Sequence, residues 1–129
     1  AAMWAVSTSF GPHTPEEWLA LSRPMVRPVD GEPGQWTLHY DPAIAVPFRS
    51  VTEQTAREGE ATLWQLYDAI RAETLLLRGA LSDLLSPETA HDMTQRGPRA
   101  RLVEFAGVGH APTLVAADQR QVVTQFLLG

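Results

Sequence analysis

Residues 74–79 read Thr-Leu-Leu-Leu-Arg-Gly, a short and continuously apolar run that stops at a charge and a glycine. Successive side chains of a strand point to opposite faces, so a run without polar alternation has to be covered on both sides. Parallel sheets are built this way, and their strands need a crossover of a dozen or more residues before the next strand. The sequence supplies one. Ser86-Pro87-Glu88 has the cap-then-proline pattern of a helix start, Ala90 and Met93 fall on one side of that helix, and Gly97-Pro98 closes it. Arg101–Phe105 then reads as a second short strand. Leu63, Leu66, Tyr67 and Ile70 have helical spacing before the first strand, and Val122, Val123, Phe126 and Leu127 mark a final helix. Residues 63–129 are thus expected to alternate helix, strand, helix, strand, helix, the pattern of a layered α/β architecture.

The first half is less regular. Residues 1–9, small and apolar, resemble the end of a helix. In "HTPEEWLAL", Thr14 is a good N-cap, Pro15 suits the first helical position and Glu17 completes a capping box. Trp18, Leu19 and Leu21 give this helix an apolar side, and Pro24 and Pro28 end it. Asp30-Gly31 and Pro33-Gly34 are turn signals, so Val26–Val29 and Trp36–Tyr40 could flank a hairpin, although the prolines weaken it. Asp41-Pro42 repeats the cap-then-proline pattern. The polar stretch 50–60 is expected to be a surface connection. Two strands make a poor sheet, and residues 1–60 do not obviously add to it.

Composition narrows the chemistry. The chain has 129 residues, enough for one ordinary domain, and 44% of them are hydrophobic. The net charge of −5 argues against a nucleic-acid surface. The sequence contains no Cys, which removes disulfides, zinc thiolates and a thiol nucleophile. No apolar run approaches the ~18 residues of a membrane span, and no signal-peptide pattern opens the chain. A cytoplasmic protein with no membrane contact is expected.

In open α/β sheets, functional groups collect on loops beyond the carboxyl ends of the strands. Two such loops are present, "GALSDLLSP" after the first strand and "AGVGHAP" after the second. One carries Asp83 and the other His110. Adjacent parallel strands lie roughly 4.8 Å apart, so the loops can meet. A carboxylate at the histidine Nδ1–H would fix the tautomer and stabilise the imidazolium formed when Nε2 takes a proton. Asp83 and His110 are therefore candidates for orienting acid and general base. The plainer alternatives are a loop histidine bonded to a backbone carbonyl and a turn aspartate bonded to its own backbone. Glu104 lies within the second strand and ranks below Asp83 as the acid.

"ETLLLRGALSDLLSPETAHDM" followed by "VEFAGVGHAP" resembles the end of an α/β-hydrolase, where a strand and turn present the triad acid and a later loop presents the triad histidine. "FGPHTPEEW", "LHYDPAIAVPF" and "LWQLYDAI" resemble the cap or lid region of bacterial members. The resemblance implies a C-terminal part of an α/β-hydrolase fold with short parallel strands and flanking helices, preceded by a mainly helical lid segment. Residues 1–60 would be the lid-like segment and 61–129 the core part. It also implies Asp83 as acid and His110 as base, acting on a small-molecule ester or related substrate without a cofactor. The departure is large. No G-x-S-x-G occurs, and Ser7, Ser9, Ser22, Ser50, Ser82 and Ser86 all lie outside any glycine-flanked elbow. The chain is expected to be part of a hydrolase about twice its length, catalytically incomplete alone.

Other residues invite readings of their own. His13, His39 and His91 lack metal-ligand spacing with His110, so no metal site is expected. Trp4, Trp18, Trp36 and Trp64 suit packing, although Trp18 and Trp36 would border a substrate pocket if the first half is a lid. Arg96, Arg99 and Arg101 read as a solvated basic cluster, and Arg78 could pair with an acid near the site. A competing hypothesis is a non-catalytic binding module, with homo-oligomers formed through an unpaired sheet edge.

Overall fold

Thr14 starts the first regular helix by the means its sequence advertises. Its hydroxyl accepts the Glu17 N–H at 3.2 Å, and the Glu17 carboxylate accepts the Thr14 N–H at 2.8 Å. This helix, α1, spans Pro15–Ser22. The computed structural model describes residues 8–129. Most of the helix end expected over residues 1–9 lies outside the described residues; Thr8–Phe10 form a 3₁₀ turn.

The chain divides into two compact units. Residues 13–60 form one, and the described residues up to Pro12 group with Ala61–Gly129 in the other. In the first unit, Trp18 is half-buried with its ring 4.6 Å from that of His13, while Leu19 is exposed. Strands β1 (Val26–Pro28) and β2 (Trp36–Leu38) pair antiparallel, Val26 opposite Leu38 and Pro28 opposite Trp36. The hairpin forms despite its proline, because a strand paired on one side has an edge where no N–H is required. Asp41 caps the 3₁₀ turn Pro42–Ala45 by accepting the Ala43 N–H at 2.8 Å.

Residues 50–60 lie at the surface, as expected of a surface connection, but most of them are helical, within α2 (Glu53–Asp68). Glu53, Gln54, Arg57 and Glu58 are good helix formers. They pair along the helix, Arg57 with Glu53 and Gln54 with Glu58, the latter at 2.5 Å. The segment is exposed throughout, so it carries no apolar stripe to betray the helix.

The second unit is built on a parallel pair, β3 (Leu75–Gly79) and β4 (Arg101–Phe105), in register from Leu75 opposite Arg101 to Gly79 opposite Phe105. Helix α3 (Pro87–Gln95) makes the crossover, capped by the Ser86 hydroxyl on the Thr89 N–H at 3.1 Å. Helix α4 (Ala117–Leu128) follows β4. Ala90, Ala100, Phe105 and Val108 are the buried apolar residues. The exposed faces are extensive: Leu63 and Leu66, two of the apolar residues at helical spacing, are 67% and 63% exposed. What ties the end of α2 down is polar and aromatic instead. Tyr67 donates its hydroxyl to the Met93 carbonyl at 2.7 Å. Arg96 grips Asp68 with two bonds, 2.8 and 2.5 Å, and lies 4.3 Å over the Trp64 ring. Among the described residues no helix is long and apolar enough to cross a membrane.

Candidate active site

The loops that leave the carboxyl ends of β3 and β4 are laced together beyond the strands. Ala80 donates to the Phe105 carbonyl and Leu81 to the Val108 carbonyl, both at 2.9 Å. The close approach depends on Gly79. A Cβ there would lie 2.7 Å from the Val108 carbonyl carbon and closer still to the carbonyl oxygens of Val108 and Gly109. Ser82 closes a turn by donating its N–H to the Gly79 carbonyl at 3.0 Å, and its hydroxyl accepts the Leu85 N–H at 3.1 Å.

The histidine loop is held from several directions. Gly107 adopts φ +72°, a conformation glycine tolerates without strain. Gly109 donates to the Ser9 carbonyl at 2.5 Å. Past the histidine, Leu114 donates its N–H to the side chain of Gln119 at 2.8 Å, and Gln119 is only 4% exposed. The last turn before α4 is thus fixed by a buried amide whose oxygen has a partner.

These anchors leave His110 exposed, with Nδ1 3.4 Å from the Ser82 hydroxyl. Asp83, the next residue, is exposed and has no hydrogen-bond partner among the described residues. The fold therefore brings the two loops together and sets Ser82, rather than the Asp83 carboxylate, against Nδ1. Ser82 was legible only as the polar neighbour of Asp83. Glu104 is engaged elsewhere, paired with Arg78 at 2.5 Å.

Trp18 and Trp36 both lie in the unit of residues 13–60, the first half-buried at His13 and the second 61% exposed on β2. His91 is exposed on α3, and no group of three His, Asp or Glu able to hold a metal ion occurs among the described residues. At the opposite end of β3 and β4 lies a shallow cleft of about 290 Å³ lined by Glu73, Thr74, Pro98, Arg99, Arg101 and Phe126.

No protein-family model matches the chain. Among curated proteins it is 46% identical over its whole length to a 3-hydroxybutyrate-oligomer hydrolase of Cupriavidus necator, and spans 44% of that protein. An α/β-hydrolase crystal structure from Novosphingobium aromaticivorans superposes over 98% of the chain with a TM-score of 0.72 at 32% identity, the match covering 43% of that structure. A Rickettsia typhi protein superposes with a TM-score of 0.75 at 23% identity, with 98% of this chain and 40% of that one covered. The parallel β3–β4 pair, the α3 crossover and the two apposed loops are accordingly part of an α/β-hydrolase fold.

Proposed function

We propose that these residues belong to a longer hydrolase that cleaves esters or related small substrates through a nucleophile–histidine–aspartate triad. His110 accepts the proton of the nucleophile at Nε2 and returns it to the leaving group. Asp83 turns onto Nδ1, orients the ring and stabilises the imidazolium. The Ser82 hydroxyl, which is neutral, cannot supply that charge. The nucleophile comes from a segment other than these 129 residues, which contain no G-x-S-x-G. The observation that carries the reading is the meeting of the Ser82–Asp83 turn with His110 beyond β3 and β4. The name of the Cupriavidus relative suggests short 3-hydroxybutyrate oligomers as a first substrate to try.

The test is turnover of p-nitrophenyl esters and of 3-hydroxybutyrate oligomers by the full-length protein. His110→Ala and Asp83→Asn should each lower kcat by roughly 10³-fold or more. The 129-residue chain alone should show no turnover. Activity in the isolated chain that vanishes in His110→Ala would overturn the assignment of the nucleophile to another segment.

A second reading, a self-associating module, is favoured by the unpaired strand edges among the described residues and by Leu84, Leu127 and Leu128, 76%, 71% and 82% exposed. Light scattering that finds a monomer at high concentration would count against it.

A further inference from the structure

Arg78 is the most deeply buried charged side chain among the described residues, 3% exposed, at the penultimate position of β3. Burying a guanidinium is costly unless its donors are met. Here Nε and Nη1 meet a particular set of acceptors. Nε donates to the Leu85 carbonyl at 2.8 Å, and Nη1 points to the Ala80 carbonyl at 3.5 Å and to the Glu104 carboxylate at 2.5 Å. Glu104 is its register partner on β4. The two carbonyls stand at the start and end of the turn that contains Ser82 and Asp83. The turn is wrapped around the guanidinium, and Glu104 fixes the guanidinium to the neighbouring strand. This arrangement uses the planar fork that distinguishes arginine from lysine.

A core that needed only filling at this position would take another leucine, as the three positions before it do. We infer that Arg78 is the positioning residue of the acid-bearing loop: it fastens both ends of the Ala80–Leu85 turn to β4 and so sets where Asp83 stands relative to His110. Arg78 makes no hydrogen bond to His110; its partners are Leu85, Ala80 and Glu104. It acts through the backbone of the turn, and Glu104 acts through Arg78. The inference rests on the catalytic reading of Asp83 and His110 given above.

The test uses the full-length protein with Arg78→Lys, Asp83→Asn and the double variant, read by kcat and KM on the same ester. Displacing a catalytic group by about 1 Å can cost on the order of 10²-fold in rate. Arg78→Lys should lower kcat roughly ten- to a hundredfold and leave KM within about twofold. In the Asp83→Asn background the same change should have no further effect on the residual kcat, because residues acting through one another are not additive. A merely structural arginine would give the same fractional loss in both backgrounds, and that result, or a native kcat in Arg78→Lys, overturns the inference. Should Arg78→Lys fail to fold, Glu104→Ala is decisive. It releases the guanidinium from β4 at a half-exposed site, and it should lower kcat several-fold only when Asp83 is present. An unchanged kcat there overturns the proposal too. If His110→Ala and Asp83→Asn keep full turnover, the catalytic reading fails. If they abolish turnover while the Arg78 and Glu104 variants keep the native kcat, the inference alone fails.

Discussion

Ser82 offers its hydroxyl to two groups at once, Nδ1 of His110 at 3.4 Å and the Leu85 N–H at 3.1 Å. The first contact is long and the second is ordinary for its kind. Replacement by alanine therefore tests the turn more than the histidine. Ser82→Ala leaves the half-buried Leu85 N–H without its acceptor, which should cost about 1 kcal/mol of stability in urea unfolding. In the full-length protein its kcat should fall far less than that of Asp83→Asn. A loss equal to that of Asp83→Asn would shift the weight of orienting His110 from Asp83 to Ser82.

Gly79 faces backbone, not a side chain that could move aside. Gly79→Ala should force the two loops apart at Leu81–Val108 and destabilise the protein by about 3 kcal/mol or more, at the upper end of ordinary point substitutions. Thermal unfolding measures this directly, and amide exchange at Leu81 should rise with it. A variant as stable as the native protein would mean that the loops are less tightly apposed.

Asp68 gives a pH signature. The hydrogen bonds from Arg96 hold its carboxyl below the usual carboxylate range, with a smaller opposing push from burial. A lowered folded-state value contributes stability that is present above the unfolded value of about 3.9 and is lost as pH falls through the folded one. Asp68→Asn should therefore be less stable than the native protein near neutrality, and the gap in urea midpoint should close as the pH falls below about 4. A gap that stays constant down to pH 2 would show that the contact contributes through packing on Trp64 rather than through charge.

The elements that local chemistry specifies were legible in the sequence. Thr14 and Ser86 announce their helices because a cap and a proline lie within three residues of each other, and β3 is announced by an unbroken apolar run. The start of α2 was not legible, because its polar residues stabilise one another and bury nothing. The loops bearing Asp83 and His110 could be placed at one sheet edge, since parallel strands leave in the same direction. Which side chain meets Nδ1 could not be read, since Ser82 and Asp83 are adjacent and a turn decides between them. The partner of Arg78 was equally hidden, because Glu104 is 26 residues away and becomes its neighbour only through the strand register.

The described residues up to Pro12 group with Ala61–Gly129, so residues 13–60 interrupt one unit in the manner of an insertion. The bonds that hold the two loops are drawn from Ser9, from 78–85 and from 104–119. A lineage carrying this arrangement could rewrite the inserted stretch, in length or in composition, while the histidine stays fastened. Divergence among descendants should accumulate unevenly, fast between His13 and Glu60 and slowly at Ser9, Gly79 and Gly109, where backbone touches backbone.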